Sequence, residues 1–192
     1  MPDDAHSPPR PITGLILAGG AGRRMGGQDK GWLPWHGMPL VHHAVACLQD
    51  QVTELLISAN RHLGDYAALG FPVLADETPD YGGPLMGLRQ GLAAARQPWL
   101  LSVPVDAPRL PDDLVPRLWA QHEAAPLVLA RTPGGPQPVV CLCRRDLLPH
   151  LESYLAAGGR QVQGWYRDLP HVWVDFDEDA FFNCNYPEDL QA

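Results

Sequence analysis

An apolar run, Ile12–Ala18, stops abruptly at Gly19-Gly20-Ala21-Gly22-Arg23-Arg24-Met25-Gly26-Gly27-Gln28-Asp29-Lys30. A buried strand that opens directly into glycines gives a backbone able to bend sharply and to approach a ligand closely. Successive glycine N–H groups can point into one concavity, which suits phosphate oxygens. Arg23, Arg24 and Lys30 bring three cations to the same loop. A flexible surface loop with solvated charges is the alternative, but a turn needs one or two glycines and this stretch has five. The reading is a polyphosphate cradle. It is neither of two familiar ones. The G-x-G-x-x-G fingerprint fails because Met25 stands where the third glycine belongs, and the P-loop fails because Gln28 follows Gly27.

Downstream, short apolar runs alternate with helical spacings. Trp32–Trp35 is a brief apolar segment ending in a His36-Gly37 turn, and Pro39–Asp50 has helical periodicity. Strands are predicted at Thr53–Ala59, Pro72–Ala75, Trp99–Val103, Leu127–Ala130, Val139–Cys143 and Val172–Phe176. Helices are predicted at Arg61–Leu69, Leu85–Arg96, Pro111–Ala124 and Asp146–Ala157, with a terminal one starting at Pro187. Arg131–Pro138 reads as a Pro/Gly-rich loop. This alternation predicts an α/β fold of three αβα layers, Rossmann-like, around a mostly parallel twisted sheet. Residues 1–11, polar and proline-rich, read as a flexible N-terminal tail, and residues 12–192 as a single domain.

The formal charge of −8 disfavours nucleic acid and anionic membrane surfaces as partners. No apolar run is long enough to span a bilayer, and no signal peptide is evident, so the expected setting is cytoplasmic. Cys141 and Cys143 share one face of a predicted strand and lack the spacing of a zinc site; buried thiols are the better reading.

In open α/β sheets ligands sit beyond the carboxyl ends of the strands, near the switch in strand order. The residues following strand ends are therefore the candidates: Gly19–Lys30, Ser58–Arg61, Asp76 and Asp106. Asp106, held between Pro104 and Pro108, could carry Mg2+ shared with phosphates, or could be a helix cap or loop aspartate. Asp76 could bond a base or a ribose hydroxyl, or simply face water.

Together, Leu17-Ala18-Gly19-Gly20, Arg24-Met25-Gly26-Gly27, Asp29-Lys30-Gly31, Gly83-Pro84-Leu85 and Pro104-x-Asp106-x-Pro108 resemble the nucleotidyltransferases that activate sugars and cofactors. The doubled Arg23-Arg24, the Ser58-Ala59-Asn60-Arg61 stretch and the C-terminal Asn183-Cys184-Asn185-Tyr186-Pro187-Glu188-Asp189 look like the molybdenum cofactor guanylyltransferase (MobA) family. The resemblance runs from about Ile12 to the C-terminus. It implies transfer of GMP from Mg-GTP to molybdenum-molybdopterin, with release of pyrophosphate.

By position, Leu17, Ala18, Gly19, Gly20, Lys30, Ser58, Asn60, Asp76 and Asp106 would bind GTP, and Asp106 would also hold the metal. Arg24, Lys30 and Asp106 would be the catalytic set. Gly83, Pro84, Gln137, Asn183 and Asn185 would contact the pterin, placing GTP in the N-terminal half and molybdopterin in the C-terminal half. Ser58 stands where the family often has asparagine, and Val105-Asp106-Ala107-Pro108 replaces the usual Cys-Asp-Thr-Pro turn. Gly19 in the third place of the first motif favours guanine over cytosine.

The chemistry agrees with the absence of a Ser-His-Asp or Cys-His constellation. A terminal phosphate has a second pKa of about 6, so it can attack the α-phosphorus without a general base. Positioning and charge neutralisation remain for the protein. The rivals are a nucleotidyltransferase using CTP or a sugar-phosphate acceptor, and a non-catalytic carrier that passes the pterin to a molybdoenzyme or another cofactor-biosynthesis protein.

Overall fold

The computed structural model describes residues 10–20, 27–75 and 83–191. Its centre is a seven-stranded sheet in the order β5 (Val73–Leu74), β4 (Val52–Ser58), β1 (Arg10–Leu17), β6 (Trp99–Pro104), β8 (Gly135–Arg144), β7 (Leu127–Thr132) and β9 (His171–Asp175). Only β8 among the seven runs against the rest: it is antiparallel to both β6 and β7, while the remaining pairs are parallel. A small antiparallel pair, β2 (Pro34–Trp35) and β3 (Met38–Pro39), turns through His36 and Gly37, both at positive φ, as a tight hairpin requires.

The period-2 alternation of the strands divides the apolar side chains between two helical layers. Ile12, Ile16, Leu101, Val103, Val140 and Leu142 face one layer, made by α1 (Leu40–Leu48), α2 (Leu63–Ala67) and α4 (Leu114–Trp119). Leu15, Leu56, Leu100, Cys141 and Cys143 face the other, made by α3 (Pro84–Ala94), α5 (Leu148–Ala156) and α6 (Val162–Tyr166). The three-layer, mostly parallel sheet is as the alternation foretold. Cys141 and Cys143 do share a face, and both are buried free thiols.

Several boundaries differ for physical reasons. The first strand begins at Arg10, whose N–H bonds the Gln51 carbonyl at 3.2 Å. The helix expected at Pro111–Ala124 contracts to α4; Pro116 removes a donor inside it, and beyond Trp119 the chain closes tighter three-residue turns. The loop expected at Arg131–Pro138 is largely hairpin. Pro136 and Pro138 lie in β8 beside a register shift at Leu129/Ala130, where the ladder tolerates missing donors. The segment before α5 is a 3-10 turn, Arg145–Leu147, and the terminal helix is likewise 3-10, Pro187–Gln191. The five-residue α6 was too short to show a period, yet it buries Val162, Trp165 and Tyr166.

Candidate active site

The chain lays β4 and β5 on one side of β1, then crosses to lay β6 on the other, so the switch in strand order falls between β1 and β6. Leu17 pairs with Pro104 at the carboxyl end, and the Val105 N–H bonds the Leu17 carbonyl at 3.1 Å. The register thus delivers Asp106 and the glycine bend to neighbouring points on one edge.

Lys30 reaches that edge from a 3-10 turn, Lys30–Trp32, whose cap is Asp29. Asp29 Oδ1 accepts from the Gly31 N–H at 3.1 Å and from the Tyr66 hydroxyl at 2.7 Å. Gly31 packs so closely on that hydroxyl that a Cβ would collide with it. Tyr66 is fully buried on α2. Burial, then the bond to Asp29, pushes its phenol pKa well up, so it stays a donor.

The Lys30 ammonium donates to Asp106 Oδ2 at 2.7 Å and to Asn185 Oδ1 at 2.8 Å. Asn185 is itself held: its N–H and that of Tyr186 both bond Asp189 Oδ2, at 2.7 and 2.8 Å. The Cys184 N–H bonds the Asp106 carbonyl at 2.8 Å, tying this C-terminal turn to the strand-end loop. Lys30, Asp106 and Asn185 therefore converge from segments 76 and 155 residues apart. The Lys30 and Asp106 side chains keep 20% and 18% of their exposure, enough for a ligand to reach them. The Cys184 thiol beneath is pushed up to about 11, by burial first, with Asp189 and Asp106 adding and Lys30 and Arg109 opposing.

The other end of the glycine bend is stapled by Arg61. Its guanidinium donates to the Gly27 carbonyl at 2.6 Å, to that of Gly20 at 3.2 Å and to that of Gln28 at 3.3 Å. His62, next in the chain, adopts left-handed φ of 50° where the chain turns into α2. Beside this, the Ala18 N–H bonds the Ser58 carbonyl at 2.8 Å, and the Asn60 amide nitrogen lies 3.2 Å from where a Gly19 Cβ would stand. Leu17, Ala18, Gly19, Gly20, Ser58 and Asn60 thus form one wall.

Gly83 (φ 76°) and Pro84 open α3 on the opposite face of the sheet. One turn on, a Cβ at Gly87 would meet Leu17 at 2.6 Å and Ser58 Oγ at 2.8 Å, so the helix rests on the same wall. Gln137 sits in β8 opposite Ala130, near the strand end that faces the carboxyl edge of β6. Asn183 bonds its amide to the Phe181 carbonyl at 2.9 Å, two residues from Asn185. Arg24 and Asp76 lie outside the described residues.

Sequence reasoning gave no role to Tyr66, or to Arg109, whose guanidinium lies 5.7 Å from the Trp35 ring centroid and 4.9 Å from that of Phe182. Neither stands in a motif; an arginine directly after Pro108 in the strand-end turn was the only available hint.

A family profile for the MobA-like NTP transferase domain matches residues 14–172. The molybdenum cofactor guanylyltransferase of Methylibium petroleiphilum is 45% identical over 190 residues, covering 94% of each chain. That of Polynucleobacter asymbioticus is 44% identical, covering 95% of this chain and 96% of the relative. The chain belongs to the molybdenum cofactor guanylyltransferase family. As a MobA-like NTP transferase it is a nucleotidyltransferase, and its fold agrees. Molybdopterin-guanine dinucleotide biosynthesis protein A of Archaeoglobus fulgidus superposes with a TM-score of 0.76 at 18% identity, covering 93% of this chain and 95% of that one. CMP:2-keto-3-deoxy-manno-octonic acid synthetase, solved with CTP, reaches the same TM-score at 13% identity, covering 94% and 95%. The fold alone therefore does not choose the base.

MobA-like NTP transferases act on nucleotide phosphates, whose charge calls for a divalent ion. Among the described residues no three His, Cys, Asp or Glu side chains gather into a metal cage. Among the described residues, the Asp106 carboxylate at the edge suits an ion held mainly by phosphate oxygens, as Mg2+ commonly is.

Proposed function

We propose that this protein transfers GMP from GTP to molybdenum-bound molybdopterin, releasing pyrophosphate and forming the guanine dinucleotide cofactor. The observation that carries the reading is the meeting of Lys30, Asp106 and Asn185 beside the glycine bend at the β1–β6 switch. The base and ribose occupy the wall from Leu17 to Gly20 with Ser58 and Asn60, and Asp76 completes that half. Gln137, Asn183 and Asn185 take the pterin, with Gly83 and Pro84 approaching from the opposite face. No helix among the described residues is long and apolar enough to cross a membrane, which fits our placing the reaction in the cytoplasm. A molybdoenzyme or another cofactor-biosynthesis protein receives the product.

The chemical problem is Coulombic, because two phosphate anions must meet. Lys30 turns from Asp106 towards the departing pyrophosphate, and Arg24 and the loop N–H groups add donors there. Asp106 is then free to hold Mg2+. That ion, when bound, neutralises phosphate charge and orients the triphosphate. Asn185 keeps Lys30 in place as the pair separates. The acceptor phosphate, dianionic above pH of about 6, attacks the α-phosphorus in line.

The test is to offer GTP or CTP with Mg2+ to the protein, pairing each with molybdenum-molybdopterin or with a sugar 1-phosphate. Pyrophosphate release only with GTP and the pterin is expected. Release with CTP or with the sugar phosphate instead would transfer the reading to a neighbouring activity. No release with any pair would revive a carrier.

A further inference from the structure

We propose that Arg109, stacked between Trp35 and Phe182, is an acceptor-binding residue that receives the terminal phosphate of the incoming pterin. The inference rests on the function proposed above and adds a residue outside the family motifs.

Three segments build the Lys30–Asp106–Asn185 cluster, and the same three build this stack. Trp35 follows Lys30 by five residues, Arg109 follows Asp106 by three, and Phe182 precedes Asn185 by three. Cross-links keep the two constellations side by side. The Cys184 N–H bonds the Asp106 carbonyl, and β2, which carries Trp35, packs against the 3-10 turn at Pro187–Gln191.

Arg89, Arg96, Arg117, Arg131 and Arg144 each meet a carboxylate. Arg109 meets none among the described residues and is exposed. It shares its lack of a carboxylate partner with Arg10, Arg61, Arg145, Arg160 and Arg167 among the described residues, and is set apart from them by the two rings it lies over beside the site. Two ring faces orient a guanidinium without neutralising it, and they leave its N–H edge open. Such an edge matches a phosphate monoester through paired, charge-assisted hydrogen bonds. The nearby rings suit a planar heterocycle carried on that phosphate. The nucleotide's own phosphates are served by the glycine bend and Lys30, so the acceptor is the anion still lacking a cation.

The test compares the parent with Arg109→Ala, Arg109→Lys and Arg109→Gln in two assays. Steady-state transfer should show the acceptor KM rising about 10- to 100-fold in Arg109→Ala, since one charged hydrogen-bond pair is lost. The KM for GTP should stay within about twofold, and Arg109→Lys should recover part of the loss. A titration of molybdopterin fluorescence, without nucleotide, reads binding alone and should weaken in the same order. Parallel loss of GTP affinity would reassign Arg109 to the nucleotide. A parent that transfers GMP while Arg109→Ala binds the pterin equally well would overturn the inference and leave the proposed function standing. A parent that binds the pterin through Arg109 yet transfers nothing would do the reverse. A parent that does not bind the pterin would end both. Because Arg109 is exposed, the variants should melt with the parent; if Arg109→Ala does not fold, Arg109→Gln gives the same comparison.

Discussion

Lys30 and Asp106 are held 2.7 Å apart, yet the pair is partly open to solvent, and such pairs contribute only about 0–1 kcal/mol to stability. Conserving the fold is therefore a poor account of two opposite charges brought from segments 76 residues apart. Asp106→Asn should leave stability within about 1 kcal/mol of the parent in a denaturant melt, while turnover falls roughly 100-fold or more. Lys30→Ala should lose a comparable factor as its donor to pyrophosphate disappears. A melt that collapses while residual turnover per folded molecule stays near the parent's would make the pair structural. At this scale the sequence was legible where a rule names a position. Strand ends marked Asp106 and the glycine bend, and the matched motif marked Lys30. It was not legible where the partner is set by distant packing. Nothing near Asp29 announces Tyr66, 37 residues on, and nothing near Arg109 announces Phe182.

The elements fix the two described ends of the glycine stretch, Gly20 and Gly27. Arg61 ties the Gly20 carbonyl to those of Gly27 and Gln28, and α2 brings Tyr66 to Asp29 just beyond them. Arg61→Ala should raise the GTP KM about 10-fold with little change in acceptor KM, the cost of a lost charged hydrogen-bonding group. Equal GTP affinity would show the staple to be dispensable. Tyr66→Phe leaves the buried Asp29 short of a donor and should cost about 1–3 kcal/mol, read as a shift in denaturation midpoint. Gly87→Ala tests the rest of α3 on its wall. A Cβ 2.6 Å from Leu17 and 2.8 Å from Ser58 should destabilise by about 1–3 kcal/mol and weaken GTP binding together. Helix and strand identity was mostly readable from periodicity. The hairpin of β7 and β8 was not, because its prolines imitate a loop while sitting at positions the ladder does not need.

For the molecule as a whole, both sheet faces are covered, and the half-buried Cys47 and buried Cys184 thiols limit its pH range. Cys47 is pushed up to about 12 by burial first and Asp112 second, and Cys184 to about 11 by burial first. A thiol whose folded pKa is raised binds its proton more tightly folded than unfolded. Its stabilisation is complete below the unfolded value near 9 and is lost as pH rises towards the folded value. The melting temperature should therefore fall between pH 9 and 12, and less steeply in Cys47→Ala. An equal slope in that variant would assign the alkaline loss elsewhere. At the carboxyl edge of that covered sheet three distant segments meet beside Gly19 and Gly20, and the proposed function depends on that place binding the triphosphate. A crystal structure with Mg2+ and a non-hydrolysable GTP analogue decides it. The account predicts an Asp106 carboxylate oxygen about 2.1 Å from the ion and the Lys30 ammonium on a phosphate oxygen. An ion and triphosphate bound away from Asp106, with the Lys30–Asp106 contact still closed, would contradict it.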